Sequence, residues 1–300
     1  MTAAPPIPAH FLRVSDLDGD GLLALLDLAA EMKERRHGFV EELRGETLVC
    51  FFEKPSTRTR LSFAAAAERL GMLPVVLGPA DLQLERGESL EDTARTFAGY
   101  ATAIVVRTYA QETVERMAAV SQVPVVNALT DEHHPCQALA DLLTVRERFG
   151  RLEGVKVAFV GDFNNVATSL AEAATLAGFQ LTVACPSGFE RDVPGVRVVH
   201  DPVEAVRGVD VVYTDVWVSM GDEGERESRL GDLTPFRVDE ALMRHASPDA
   251  VFMHCLPAHR GEEVAQEVID GPFSIVWQQA ENRLPTEEAL LFALIRRRWK

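Results

Sequence analysis

Cysteine is scarce. The 300 residues hold four, Cys50, Cys136, Cys185 and Cys255, and no two stand at the C-x-x-C spacing of a zinc or redox motif. Three of them, Cys50, Cys185 and Cys255, lie in apolar runs that read as strands, so buried free thiols in a reducing compartment are the simplest reading. Long hydrophobic runs are missing as well. The best, Leu22 to Ala30, is broken by Asp27 and falls short of the ~18 residues of a membrane span. The N-terminus, M-T-A-A-P-P-I-P-A-H, lacks the basic region and apolar stretch of a secretory signal. A soluble cytoplasmic protein is expected. Positive charge is short: 30 Lys and Arg against 46 Asp and Glu leave a net charge of −16. Nucleic acid and anionic membranes reward a basic footprint, so neither is an expected partner. An anionic ligand would need a local basic pocket set against the protein's own field. Nucleotide fingerprints are also absent. There is no G-x-x-x-x-G-K-S/T loop, and G-D-F-N-N at 161–165 lacks the second and third glycines of a dinucleotide site.

What is present is an ordinary globular balance, 47% apolar and 25% charged, in a chain long enough for two domains. A helical pattern over 22–37 is followed by a rhythm of short β-branched or aromatic runs and longer amphipathic stretches. Strands are expected at 47–53, 73–77, 103–107 and 123–128. After a polar hinge at 149–154, others are expected at 156–161, 180–185, 196–200, 209–215, 250–255 and 274–278, with a last helix near 285–298. Near-continuous apolar strands alternating with helices predict α/β architecture: two doubly wound parallel-sheet domains divided near residue 150. Ligands of such sheets sit beyond the carboxyl ends of the strands, so the residues after each strand carry the functional reading.

The first strand runs into K-P-S-T-R-T-R-L-S-F at 54–63, where a helix is expected to start at Ser56. Hydroxyls of Ser56, Thr57 and Thr59, helix-start N–H groups and the cations Arg58 and Arg60 suit a phosphate. Arg107 ends the third strand, and His134 and Gln137 in H-H-P-C-Q follow the fourth. Arg107, His134 and Gln137 fall at the same sheet edge as Ser56–Arg60, which raises each of them. In the second half, Asn164 or Asn165 caps a helix or binds a ligand carboxylate. Asp215 ends a strand, with Ser219 four residues on, and can hold an ammonium group. His254, Cys255, His259 and Arg260 cluster in F-M-H-C-L-P-A-H-R-G, but Cys255 and His259 lack partners at finger spacing, so no metal is expected.

Taken together, F-F-E-K-P-S-T-R-T-R, H-P-C-Q-A-L-A-D, D-V-W-V-S-M-G and H-C-L-P-A-H-R-G-E-E-V resemble the aspartate/ornithine carbamoyltransferase family, from about residue 10 to the end. S-M-G and Cys255 resemble its ornithine branch; aspartate members carry Pro at the position of Cys255 and lack S-M-G. The resemblance implies a carbamoyl-phosphate domain over 1–148, an ornithine domain over 149–283, and a C-terminal helix over 284–300 crossing back to the first. It implies transfer of a carbamoyl group from carbamoyl phosphate to the δ-amine of L-ornithine, with no cofactor. Another amine acceptor, or a non-catalytic binder of the same fold, is the alternative. Ser56, Thr57, Arg58, Thr59, Arg107, His134, Gln137, Leu256 and Arg283 are carried to carbamoyl phosphate, which implies that Arg58, Arg60, Arg107, His134 and Arg283 converge on one small dianion. Asn165, Asp215, Ser219, Met220 and Cys255 are carried to ornithine, and Arg107, His134 and Cys255 to the chemistry. Gln83 resembles a residue lent by a neighbouring subunit of a homotrimer or a multiple of trimers. Leu256–Pro257 resembles the family's cis peptide. Two departures stand out: the chain is short between Gly188 and Val196, and P-T-E-E-A follows Arg283–Leu284 where the family often reads H-x-x-K-A.

Overall fold

The computed structural model describes residues 7–35, 42–218, 224 and 226–298. The chain divides into two compact units, Met1–Leu143 with Asn282–Lys300, and Thr144–Glu281. The first unit contains α1 (Gly19–Glu34), β1 (Thr47–Phe52), α2 (Arg58–Arg69), β2 (Leu73–Leu77), α3 (Leu90–Tyr100), β3 (Ala103–Arg107), α4 (Gln111–Val120) and β4 (Val125–Leu129). The helix α5 (Pro135–Phe149) spans the division between the units. The four strands form one parallel sheet in the order β2-β1-β3-β4. Val49 and Phe51 of β1 pack with Ala94, Phe97, Val114 and Met117 of α3 and α4. Side chains alternate along a strand, so Leu48, Cys50 and Phe52 face the opposite layer, and they are buried too. Burial on both faces is why L-V-C-F-F is continuously apolar.

The second unit repeats the plan with a different winding. It contains β5 (Lys156–Val160), α6 (Asn165–Ala177), β6 (Gln180–Ala184), β7 (Arg197–Val199), α7 (Pro202–Val206), β8 (Val211–Thr214), α8 (Arg226–Leu233), α9 (Glu240–Met243), β9 (Val251–His254) and α10 (Gln266–Ile269). All strand pairs are parallel, in the order β7-β6-β5-β8-β9. One face packs Val160, Val212 and Phe252 against Val206, Leu242 and Ile269 of the short helices. Val166 and Leu170 of α6 are buried outside that cluster.

The expected strand at 274–278 is not formed. Ser274 makes a single parallel bridge to Phe252, and a helix begins two residues later. This helix, α11 (Val276–Arg298), starts well before the expected residue 285 and carries Pro285 inside it. Its buried stripe explains the misreading. Gln279, Asn282, Arg283, Thr286 and Glu287 recur at helical spacing and are all buried, so the period is carried by polar side chains.

Glu288, beside that stripe, is 3% exposed and 3.2 Å from Arg69 Nη1. Burial pushes its carboxyl up to about 7 against the pull of Arg69. The folded chain therefore holds this proton more tightly than the unfolded one. Stability falls as pH rises from the unfolded value of about 4.3 through the folded value. Glu288→Gln should gain on the wild type across that window by about 2 kcal/mol, a figure reduced for water reaching the Arg69 end of the pair. Denaturant unfolding of both proteins at about pH 5 and about pH 8 checks this. A difference that does not change with pH would refute it.

Candidate active site

The strand order reverses between β1 and β3, so the crevice of the first sheet opens beyond their carboxyl ends. From β1 the chain enters α2 two residues later than expected, with Thr57 at the N-cap making no side-chain cap bond. Ser56 Oγ instead accepts from the Thr59 N–H at 3.2 Å. Thr57 and Arg58 are exposed at this helix start and Thr59 is buried. Arg60 is exposed, and its guanidinium lies 5.4 Å from the centre of the Phe52 ring. On a helix, residues two apart point ~200° from each other, so Arg58 and Arg60 do not serve one ligand. The five-cation expectation therefore loses Arg60.

Arg107, the last residue of β3, is 6% exposed. Its register with β4 slips by one between Val106 and Arg107, a bulge of the sort that re-aims side chains beside sites. His134 and Gln137 come from the start of α5, where Pro135 stands at the first helical position. Burial pushes the His134 imidazole well below its usual range, and the nearby Arg283 and Arg107 cations push it further. The ring is neutral at pH 7, a hydrogen-bonding group beside two cations. Arg283 Nη1 donates to Gln137 Oε1 at 2.9 Å, and Gln137 Nε2 donates to Asp141 Oδ1 at 2.9 Å. Arg283 Nη2 reaches Thr59 Oγ1 at 3.5 Å. Thr59, Gln137 and Arg283 are thus directly joined, and Arg107, His134 and Arg283 share one electrostatic neighbourhood. Gln83 is exposed, at the cap of a short 3-10 turn.

In the second unit the order reverses between β5 and β8. Gly161, just after β5, has φ +128°, and a Cβ there would lie 3.2 Å from Trp217 Nε1. Glycine is required by both the backbone and the close approach. Of the two asparagines, Asn164 caps α6, its Oδ1 accepting from Val166 and Ala167 at 3.0 and 3.2 Å. Its Nδ2 donates to Asp215 Oδ2 at 2.7 Å. Asn165 is the first residue of α6 and half-buried. Asp215 follows β8, buried, and Cys255 Sγ donates to its Oδ1 at 2.9 Å. The Leu256–Pro257 bond is cis, and Leu256 has φ +59°. His254 Nδ1 accepts from the Leu256 N–H at 2.9 Å, and His254 Nε2 lies 3.3 Å from the buried Glu263 Oε1. Both ring nitrogens therefore face other groups, although Asp215, His254 and Cys255 place ligand-type atoms within 4.8 Å of one another. Ser219 and Met220 lie outside the described residues.

Asn164, one of the two asparagines expected to cap the helix, does so and is also a partner of Asp215. Two contributors escaped the sequence reading. Asp141, four residues after Gln137, orients that amide. Lys54, buried at the end of β1, donates to Asp131 and stands 4.4 Å over the Tyr109 ring. No helix among the described residues is long and apolar enough to cross a membrane.

These features define an α/β protein with two switch-point sites, one basic and one built on a carboxylate–thiol pair. Residues 9–147 match the carbamoyl-P binding domain of aspartate/ornithine carbamoyltransferase, and residues 153–294 match its Asp/Orn binding domain. The chain belongs to the aspartate/ornithine carbamoyltransferase family. Ornithine carbamoyltransferases from Parafrankia sp. and Methanothermobacter thermautotrophicus are each 50% identical to it over 303 residues, covering 95% of this chain and 96% and 98% of theirs. Among solved structures, ornithine carbamoyltransferase from Pyrococcus furiosus superposes with a TM-score of 0.92 at 45% identity, over 96% of this chain and 97% of that one. The enzyme from Thermus thermophilus gives a TM-score of 0.90 at 44% identity, over 96% and 99%.

Proposed function

We propose that this chain transfers the carbamoyl group of carbamoyl phosphate to the δ-amine of L-ornithine, giving L-citrulline and phosphate. The amine nitrogen bonds to the carbonyl carbon, the carbon–oxygen bond to phosphate breaks, and the amine gives up a proton. The observation that carries the reading is the hydrogen-bonded set Thr59, Gln137 and Arg283, with the buried Arg107 and His134 beside it, a basic site set against the −16 background. In this reading Ser56, Thr57, Arg58, Thr59, Gln137 and Arg283 hold the phosphate and carbamoyl ends. The α2 N-terminus and the forked Arg58 neutralise the leaving dianion. Arg107, the neutral His134 and Thr59 polarise the carbonyl, where preorganised donors typically contribute ~3 kcal/mol each. The Leu256 carbonyl helps place the carbamoyl amide.

On the acceptor side, Asp215 pairs with the α-ammonium and Asn165 with the α-carboxylate, and Ser219 and Met220 complete the pocket. Cys255 positions the δ-amine, and the reaction requires no covalent carbamoyl-enzyme. Holding two substrates in line removes most of the entropy of their meeting. Gln83, exposed on its turn, is lent to a neighbouring subunit's site in a homotrimer or a multiple of trimers, in the cytoplasm, for arginine biosynthesis. Citrulline formation from carbamoyl phosphate and a panel of amines tests the reading: ornithine should be strongly preferred over putrescine, lysine and N-acylornithine.

A free alkylamine has a pKa of about 10.4, so only a small fraction of ornithine is nucleophilic at neutral pH. His134 stays neutral throughout this range, because burial and its two arginines hold it below its usual value. The logarithm of kcat/KM for ornithine should therefore climb with a slope of about one between about pH 7 and about pH 8.5. A flat profile would mean that amine deprotonation does not limit the reaction.

A further inference from the structure

Glu287 stands four residues after Arg283 on α11 and is 1% exposed. Its Oε1 accepts from Arg283 Nε at 3.0 Å and from Arg283 Nη2 at 2.6 Å. The other groups that face it come from three elements. Ser62 on α2 lies near the carboxylate, its Oγ donating to the Thr59 carbonyl at 3.3 Å, and the thiols of Cys50 on β1 and Cys136 on α5 lie within its field. Burial works against the Arg283 cation, yet Glu287, with Cys136 and Asp141, more than offsets it and holds the guanidinium charged. A carboxylate this deep survives desolvation only beside such a partner.

The pair does not stand alone. The Nη1 side of the same guanidinium is held by Gln137, itself oriented by Asp141, and Nη2 reaches Thr59. Every bond Arg283 makes on its flat fork therefore fixes the plane of the guanidinium relative to two other residues of the basic site. A planar fork recognises an oxyanion only in one orientation, so its plane sets affinity as its charge does. The charge of Glu287 opposes a dianionic ligand, which leaves orientation as its contribution.

We propose that Glu287 is a positioning residue for carbamoyl phosphate, clamping Nε and Nη2 of Arg283 so that the guanidinium meets the substrate in a fixed plane. This rests on the reading that Arg283 contacts carbamoyl phosphate. Glu287→Ala frees the fork; the KM for carbamoyl phosphate should rise about tenfold while the ornithine KM stays within about twofold. Glu287→Gln keeps an acceptor oxygen and removes the charge, and should restore the KM to within about threefold of the wild type. Arg283→Lys separates the two layers of the argument. It keeps a cation for Glu287 but loses the fork, and should raise the carbamoyl-phosphate KM. If it does and Glu287→Ala does not, the clamp is wrong and the contact stands. If Arg283→Lys leaves that KM unchanged, the contact is wrong and the clamp falls with it. Thermal unfolding with and without inorganic phosphate verifies that each variant is folded. Should Glu287→Ala fail to fold, Glu287→Gln decides alone: a rise in both KM values together, or a loss confined to kcat, marks a merely structural pair and overturns the proposal.

Discussion

Arg58→Ala should lower kcat/KM for carbamoyl phosphate by about 10²–10³-fold and leave the protein folded. The two halves of this expectation have different origins. Arg58 is exposed at the first position of α2, and the helix start is capped by Ser56 Oγ, so truncation costs the fold little. Its proposed ligand, by contrast, carries two negative charges. A forked arginine at a helix N-terminus adds charge-assisted bonds to a site already favoured by the helix dipole. The loss should fall in KM for carbamoyl phosphate and in inhibition by inorganic phosphate, with the ornithine KM little changed. Arg60→Ala is the internal control. Two residues on, its guanidinium lies over the Phe52 ring, on another side of the helix, and its loss should change KM less than about threefold. Equal effects from the two arginines would mean a diffuse basic patch in place of a built phosphate site.

The contrast between these arginines also shows how far the sequence could be read. S-T-R-T-R announced an anion site because so many hydroxyls and cations after a buried strand have few other uses. Both arginines are exposed on α2, and what separates them is helix geometry, which points residues two apart ~200° from each other. Strand positions were legible because both faces of the central strands are covered, which makes those runs apolar throughout. The switch points followed from the strand order once the runs were placed. The failure at 274–278 has one physical cause. S-I-V-W-Q is β-branched and apolar, while the helical period that overrides it is written in Gln279, Asn282, Arg283, Thr286 and Glu287. A periodicity search weighted to apolar residues reads that stripe as solvent-facing. The same polar stripe carries Arg283 and its clamp, so the segment hardest to read is the one that delivers a site residue. Asn164 was ambiguous for a related reason: one amide serves the cap through its oxygen and Asp215 through its nitrogen, and only the fold brings Asp215 within reach.

Asp215→Asn should raise the KM for ornithine by about 10²-fold or more while the KM for carbamoyl phosphate stays within about threefold. Asp215 is 7% exposed, and the two groups bonded to it among the described residues, Asn164 Nδ2 and Cys255 Sγ, are uncharged donors. They fix both carboxylate oxygens without neutralising them. A buried carboxylate held by neutral donors is costly to the fold and pays for itself only when a cation arrives, here the α-ammonium of ornithine. Asparagine keeps the shape and removes the charge, so the variant measures the ion pair apart from the packing. Asn164→Ala tests the other side of the arrangement. It removes one of the two donors and the α6 cap together, and should raise the ornithine KM by a smaller factor of about ten, with some loss of stability. Cys255→Ser retains a donor to Asp215 Oδ1. It should leave ornithine binding nearer the wild type than Asp215→Asn does, while lowering kcat through misplacement of the δ-amine. An Asp215→Asn enzyme with an ornithine KM within threefold of the wild type would remove the ammonium from this carboxylate, and with it the preference for a free α-amino acid over N-acylornithine.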